Sequence, residues 1–303
     1  MMRSEFKALV EALGQHILGK PQQIKLALTC MLAQGHLLIE DLPGMGKTTL
    51  SHSLAKLFSL DYSRIQFTSD LLPSDMLGAT IYNAQNQEFV FRAGPVFNQL
   101  ILADEINRAS PKTQSALLEA MEERQVSIDG TTYPLPAPFF VIGTQNPTFQ
   151  SGTYPLPESQ LDRFLMKISL GYPDWDAERA MLLGTNQERA MPAMELAQLT
   201  AWQMQITNVH ASDAVINYIL KLVTMSRTTP GFSHALSPRA SKALLQAARA
   251  WAFMHDRDYL LPDDVQAVFV AVAEHRLRPA YQDSNEDTLL SQRLLDSVDP
   301  LAA

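Results

Sequence analysis

The chain has 303 residues, of which 46% are hydrophobic and 18% charged, a balance typical of a globular protein with one large domain or two. Its formal net charge of −8 argues against a nucleic-acid coat, which needs an electropositive face, and favours protein partners. A single cysteine, Cys30, excludes an internal disulfide framework, and no apolar run reaches the ~18 residues of a membrane span, so we expect a cytoplasmic protein.

The N-terminal half of the chain alternates helical and strand-like segments. Apolar residues recur at helical spacing in EFKALVEALGQHIL and in QQIKLALTCMLA. Short apolar runs that end in polar residues follow, namely HLLIE, SRIQFT, QLILADE and PFFVIGTQN. Such runs separated by helices predict a mostly parallel sheet that binds its ligand at the strand ends.

The first of these runs leads into a glycine-rich loop within LLIEDLPGMGKTTL, residues 37–50. Gly46, Lys47 and Thr48 fit the phosphate-loop pattern G-x-x-x-x-G-K-[ST]. In such a loop the glycines let backbone N–H groups surround phosphate oxygens, the lysine adds a positive charge, and the threonine hydroxyl binds Mg²⁺. The pattern predicts ATP and Mg²⁺ as ligands, with nucleotide contacts from Pro43, Gly44, Met45, Gly46, Lys47, Thr48 and Thr49.

Asp41 stands where the phosphate-loop pattern has its first glycine, and ATP phosphates are anionic. The residue comes at the end of the predicted strand, before the glycines that contact phosphate, and aspartate tolerates turn conformations. We therefore expect the Asp41 carboxylate to lie outside the phosphate shell, so that Asp41→Gly leaves ATP affinity similar or modestly tighter.

Two acids follow another apolar run, in QLILADEIN. Phosphoryl transfer needs a carboxylate for the Mg²⁺ shell, which suits Asp104, and a group that activates the attacking water, which suits Glu105. An exposed acid pair at a strand end is common by itself, but here it follows a phosphate loop. Asn146 ends the next run, in FVIGTQNP, and its amide suits a residue that helps Glu105 to orient water.

Two segments interrupt this pattern with the alternation of β-hairpins. TIYNAQNQEFVFRAG alternates around a turn rich in Asn and Gln, and RQVSIDGTTYPL alternates around Asp129-Gly130, a type I′ turn signal. Neither hairpin is needed to complete a parallel sheet, so both are interpreted as insertions.

From about Asp176 onward the sequence shows helical periodicity with almost no strand signal, notably in SDAVINYILKLVTMSRTTP and SPRASKALLQAARAWAFMHDR. LPDDVQAVFVAVAEHRL begins with a helix-start signature, and the acidic last stretch predicts a final helix. The sequence thus predicts an α/β nucleotide-binding core at residues 1–173 and an all-helical domain at residues 174–303.

Together these motifs resemble the MoxR group of AAA+ ATPases. The resemblance rests on DLPGMGKT (Walker A), LILADEINRASPKTQSALLEAMEE (Walker B), GTQNP (sensor 1), LPESQLDRF and SPRA, and it extends from about Ile17 to Arg276. It implies an AAA+ P-loop core whose two hairpins are the helix-2 and pre-sensor-1 inserts, which line the central face of a ring, followed by a helical lid.

The same resemblance implies roles for further residues and the kind of partner that the protein has. Arg163 in LDRF matches the arginine finger that reaches a neighbouring subunit's γ-phosphate, and Arg239 in SPRA matches sensor 2. The adenine contacts are expected near Ile17, Leu18 and Gly19. Members of the group form hexamers and remodel proteins, often with a partner that carries a von Willebrand factor A domain, and some pathways end in metal-cofactor insertion.

The residues by themselves leave several alternatives open. An arginine clamp on the transferred phosphate is worth orders of magnitude in rate, but sequence alone does not choose Arg163 over Arg108. A magnesium-chelatase-like ATPase subunit, a nucleic-acid motor and a non-hydrolysing nucleotide switch are the competing functions. The negative net charge argues against the nucleic-acid motor. The residues of the DEINRASPKTQSALLEAMEE segment resemble the MoxR group more than the chelatase.

Overall fold

The computed structural model describes residues 2–147, 152–183, 193–280 and 289–300. The α/β part consists, in chain order, of α1 (Ser4–His16), α2 (Pro21–Leu32), β1 (Leu37–Glu40), α3 (Lys47–Leu57), β2 (Tyr62–Gln66), α4 (Pro73–Leu77), β3 (Gly78–Asn83), β4 (Glu88–Ala93), β5 (Leu100–Asp104), α5 (Pro111–Glu123), β6 (Gln125–Ile128), β7 (Thr131–Pro134), β8 (Phe140–Gln145), α6 (Glu158–Leu161) and β9 (Met166–Ile168). The strand runs and helices predicted for the N-terminal half are all present.

The main sheet has five strands in the order β2-β5-β8-β1-β9, and every neighbouring pair is parallel. All residues of the central strands β5 and β8 are buried, because helices cover both faces of the sheet. The carboxyl ends of parallel strands lie at one edge, which here brings together the segments that follow β1, β5 and β8. The predicted parallel sheet is confirmed.

The two predicted hairpins are confirmed as antiparallel pairs outside the main sheet, β3 with β4 and β6 with β7. Asp129 and Gly130 both have positive φ values, 50° and 80°, as a type I′ turn requires. The Phe91 ring stacks on the Tyr133 ring with centroids 4.0 Å apart, so an aromatic contact joins the two hairpins.

The C-terminal part is mainly helical, as predicted. Its elements are α7 (Trp175–Leu182), α8 (Leu196–Thr207), α9 (Asp213–Thr228), β10 (Phe232–His234), α10 (Pro238–Met254), α11 (Pro262–Ala273), β11 (Arg278–Pro279) and α12 (Leu290–Asp296). The short antiparallel ribbon of β10 and β11 was not predicted, because two or three residues carry no readable alternation. Residues 281–288 and 301–303 of the predicted last segment lie outside the described residues.

The helical part and the α/β part share one hydrophobic core. Phe6 of α1 packs against Trp202 of α8 at 4.7 Å and against Phe253 of α10 at 5.9 Å between ring centroids. The buried Arg276 donates hydrogen bonds to Asp162 Oδ1 at 2.6 Å and to the Phe164 carbonyl at 2.7 Å. These bonds fix the segment that follows α6 to the helical part. The predicted domain boundary, between residues 173 and 174, falls in the segment that immediately precedes α7.

No helix among the described residues combines the length and the apolar character that are needed to cross a bilayer.

Candidate nucleotide-binding site

A cleft of about 390 Å³ opens at the carboxyl edge of the sheet. It is lined by Pro43, Gly44, Gly46, Lys47, Thr48, Thr49, Arg64, Gln66, Asp104, Glu105 and Asn146. The predicted phosphate loop, the predicted acid pair and the predicted amide therefore meet in one place. Met45 of the loop instead packs its side chain against the hydrophobic core.

The loop before α3 has the conformation of an open cradle. Gly44 and Gly46 have φ values of 86° and 87°, in the left-handed region that favours glycine. A Cβ atom placed on either residue would meet no heavy atom within 4 Å, so the space above the loop is open. The loop can therefore admit an anion close to its backbone, next to the positive end of α3.

Lys47, the first residue of α3, directs a buried cation into this cleft. Its Nζ donates hydrogen bonds to the Asp41 carbonyl at 2.6 Å and to Asn146 Oδ1 at 3.3 Å. Burial lowers the pKa of Lys47 below its ordinary value, and the nearby carboxylates of Asp104, Asp41 and Glu105 oppose that shift. A buried ammonium group whose hydrogen-bond acceptors are neutral oxygens is well placed to bind a phosphate.

Asp104 ends β5 with both carboxylate oxygens engaged. Thr144 on β8 donates a hydrogen bond to Oδ1 at 2.6 Å, and Arg64 on β2 donates to Oδ2 from Nη2 at 2.6 Å and from Nε at 3.1 Å. The carboxylate is thus held by the strands on both sides of its own strand.

Glu105 follows in the left-handed conformation, with φ 56° and ψ 47°. Its carboxylate accepts hydrogen bonds from Asn146 Nδ2 at 3.2 Å and from Gln66 Nε2 at 2.8 Å, and it forms an ion pair with Arg108 at 3.2 Å. Holding a non-glycine residue in the left-handed conformation costs about 1 kcal/mol of folding free energy, which surrounding contacts must offset. The strain and the three side-chain partners fix the direction of the carboxylate at the mouth of the cleft.

Two residues of the cleft, Arg64 and Gln66, belong to none of the predicted motifs. Both lie on β2, where they alternate with the buried Ile65 and so project from the same side of the strand. In the register of β2 with β5, Gln66 lies opposite Asp104, and this neighbour relation places the two polar side chains in the cleft. The alternation in SRIQFT is readable from sequence, but the position of β2 beside β5 is not.

Arg163 and Arg239 lie away from the cleft, although the structure brings them together. Both donate to the carboxylate of Glu122 near the end of α5, and Arg163 Nη1 also donates to the Leu118 carbonyl at 3.1 Å. The neighbouring residue Met121 accepts a hydrogen bond at 3.2 Å from His36, which immediately precedes β1. The arginine pair therefore lies at the amino edge of the sheet, opposite its own cleft.

The predicted adenine segment lies elsewhere again, between α1 and α2. Ile17 is buried, and a Cβ atom on Gly19, whose φ is 70°, would approach Ala177 Cβ and Asp174 Oδ2 at 3.1 Å each. Gly19 thus allows this turn to pack closely against the start of α7. Ile17, Leu18 and Gly19 do not line the phosphate cleft, and their contact with adenine stays a prediction.

The Asp41 carboxylate points away from the cleft to the segment between β9 and α7. It accepts hydrogen bonds from Ser169 Oγ at 2.8 Å, from the Gly171 N–H at 3.2 Å and from the Leu170 N–H. The residue does not have a positive φ, so hydrogen bonding rather than turn conformation explains the aspartate. Asp41 thereby ties the base of the phosphate loop to the chain that leads into the helical part.

We expect Asp41→Ala to lower the free energy of unfolding by about 2 kcal/mol, because the buried Leu170 N–H and the half-buried Gly171 N–H lose a charged acceptor. Denaturant titration measures this loss, and Asp61→Ala, which removes an exposed carboxylate before β2, is the matched control. ATP affinity of the folded variant should stay near that of the parent protein. A stability equal to that of the control would contradict the structural role.

The residues of the cleft fit Mg-ATP. Lys47 and the open glycine loop suit anionic phosphates, and the Thr48 hydroxyl and the Asp104 carboxylate are the oxygen donors that Mg²⁺ prefers. Within the described ranges no group of three or more His, Cys, Asp or Glu side chains could hold a metal ion by itself.

The sheet order, the phosphate loop, the acid pair beside it and the helical part define an AAA+ ATPase with a lid. Residues 36–166 match the family model of the "ATPase family associated with various cellular activities (AAA)", and residues 224–293 match that of the AAA lid domain. The chain belongs to the MoxR family within this class. It is 39% identical over 296 residues to Chaperone MoxR1 of Mycobacterium tuberculosis, an alignment that covers 93% of this chain and 78% of that protein.

Other relatives agree with this family. Protein MoxR of Paracoccus denitrificans is 31% identical, with 93% of this chain and 92% of that protein covered. Uncharacterized protein YeaC of Bacillus subtilis is 48% identical, with 88% and 85% covered. A crystal structure of a Cytophaga hutchinsonii protein assigned as an ATPase superposes with a TM-score of 0.87 at 38% identity, over 97% of this chain and 94% of that one.

Proposed function

We propose that this MoxR-family protein hydrolyses Mg-ATP in the cleft and uses the energy to remodel partner proteins. The observation that carries the proposal is the chain of hydrogen bonds from Lys47 through Asn146 to Glu105, which links a phosphate-binding cation to a candidate base. The similarity to Chaperone MoxR1 supports the remodelling part of the proposal.

Five residues of the cleft have a role in this proposal. Lys47 binds the outer phosphates, and Thr48 and Asp104 hold Mg²⁺, which when bound offsets the negative charge of the phosphates. Glu105 accepts a proton from the attacking water, and Asn146 holds the Glu105 carboxylate in the direction of that water. Because Lys47 also bonds Asn146, phosphate binding at the lysine can alter the position of the base.

Arg163 and Arg239 act in this proposal on a neighbouring subunit. Their position at the amino edge of the sheet, bonded to Glu122, keeps them from their own phosphates and supports a ring in which one subunit completes the site of the next. Arg108, by contrast, pairs with Glu105 of its own subunit. Of the two candidate arginines, Arg163 is therefore the better candidate for the arginine finger.

The finer expectations extend this proposal. A hexameric ring, a partner with a von Willebrand factor A domain, a cytoplasmic location and a role in maturation, assembly or metal-cofactor insertion all come from the family resemblance.

We expect the purified protein to release phosphate from ATP with Mg²⁺ and not with EDTA, and to move from a small to a ring-sized species in size-exclusion chromatography when ATP is added. Lys47→Ala should by itself abolish phosphate release, because the cation that binds the outer phosphates is lost. Absence of turnover together with normal ATP binding would favour a nucleotide switch, and stimulation by DNA would favour a nucleic-acid motor. Either result would contradict the proposal.

A further inference from the structure

Arg64 is a cation in the cleft with no role in the proposal above. It extends from the edge strand β2, and its guanidinium bonds Asp104 Oδ2 at 2.6 and 3.1 Å and Gln66 Oε1 at 2.9 Å. About half of the Arg64 side chain is exposed, whereas the Asp104 side chain is 11% exposed. The ion pair thus has its carboxylate in the interior and its cation at the cleft wall.

Arg64 bonds the carboxylate that the proposed function assigns to the metal. Thr144 occupies the other oxygen of Asp104, so both oxygens have protein donors. The lining contains two cations, Lys47 and Arg64, and two acids, Asp104 and Glu105, so its formal charges balance without a metal ion.

We propose that Arg64 is a positioning residue that shields Asp104 from free divalent cations, so that the cleft accepts the metal together with nucleotide phosphate rather than before it. This inference rests on the proposed function, in which Asp104 serves the metal. A planar guanidinium forms paired hydrogen bonds with phosphate as readily as with carboxylate. Phosphate in the same cleft therefore offers Arg64 a second partner and leaves Asp104 Oδ2 accessible.

The shielding predicts opposite effects on two ligands. Arg64→Gln removes the charge that competes with a free cation at Asp104. An ion pair with a half-exposed cation is worth about 1 kcal/mol, so affinity for free Mn²⁺ should rise about fivefold. The same change removes a cation from the phosphate cleft, so affinity for ATP in EDTA should fall by a similar factor. A residue that only supports the fold would lower both affinities or neither.

The experiment titrates Mn²⁺ into the protein without nucleotide and follows free Mn²⁺ by electron paramagnetic resonance. Arg64→Gln should bind Mn²⁺ more tightly than the parent protein, and the added change Asp104→Asn should remove the gain. Arg92→Gln, which removes an exposed arginine on β4, is the matched control and should leave Mn²⁺ binding unchanged. Thermal melting of each variant checks that it is folded.

Unchanged Mn²⁺ affinity in Arg64→Gln, or a gain that persists when Asp104 is also changed, would overturn the inference. The titration uses neither nucleotide nor turnover, so its result is separate from that of the proposed function. Failure of ATP hydrolysis in the parent protein contradicts the proposed function, whereas normal hydrolysis with unchanged Mn²⁺ affinity contradicts the role of Arg64 alone.

Discussion

Glu105→Gln is expected to bind Mg-ATP with nearly the parent affinity and to lose turnover by about 10²–10⁴-fold. The amide keeps the size of the side chain and an oxygen that can accept the Asn146 hydrogen bond seen at 3.2 Å. It cannot take a proton from water, so the loss falls on the chemical step rather than on binding. Calorimetric titration measures the affinity, and a phosphate-release assay measures turnover.

Glu123→Gln is the matched control, because it removes an exposed carboxylate from the end of α5 and leaves the cleft intact. Its turnover should equal that of the parent protein. Turnover above about a tenth of the parent rate in Glu105→Gln would exclude Glu105 as the base, since general-base catalysis contributes at least about a hundredfold. A variant that binds ATP without hydrolysing it also serves as a trap, and the proteins that co-purify with it identify the client.

Arg163→Ala is expected to lose turnover by about 10³-fold and to regain part of it when mixed with Lys47→Ala. Arg163 lies at the sheet edge opposite its own cleft, bonded to Glu122 and to the Leu118 carbonyl. In a mixed ring the Lys47→Ala subunit supplies an intact Arg163 to the intact cleft of its neighbour. The pair of inactive proteins should therefore give an active mixture, which a phosphate-release assay detects.

A mixture of Lys47→Ala with Glu105→Gln is the control for this experiment. Both changes damage the cleft of the subunit that carries them, so no arrangement of subunits restores a complete site and the mixture should stay inactive. The fold of Arg163→Ala should persist, because Arg239 still pairs with Glu122. If mixed rings form and Arg163→Ala shows no recovery, Arg163 does not act between subunits.

The turns, helix starts and strand ends that were predicted correctly depend on signals within a few residues of the chain. The glycines with positive φ in the phosphate loop and the Asp129-Gly130 turn depend on the conformations that single residues can adopt. The helix start in LPDDVQAVFVAVAEHRL depends on Pro262 in the first turn and on the Asp264 carboxylate, which accepts a hydrogen bond from the Leu261 N–H at 2.9 Å. Strand ends rich in acids and amides could be expected to meet, because parallel strands share one carboxyl edge.

Local signals do not predict the order of the strands in the sheet. That order places the remaining polar residues of the cleft, Arg64 and Gln66. Arg64 and Gln66 reach the acid pair only because β2 lies beside β5, and the pairing of strands depends on packing across the whole sheet. Their alternation in the sequence is equally compatible with a strand that faces solvent. The shielding of Asp104 therefore follows from strand order and not from any motif.

By itself, the sequence determined the phosphate-loop motif, the acid pair, the hairpins and the family, since each depends on residues close together in the chain or on a motif. Only the tertiary structure decided which distant groups meet. Asp41 bonds the chain at Ser169, and Arg163 joins Arg239 on Glu122, although more than a hundred residues separate Glu122 from Arg239. Contacts across such distances depend on how helices and strands pack, and that is a property of the whole fold.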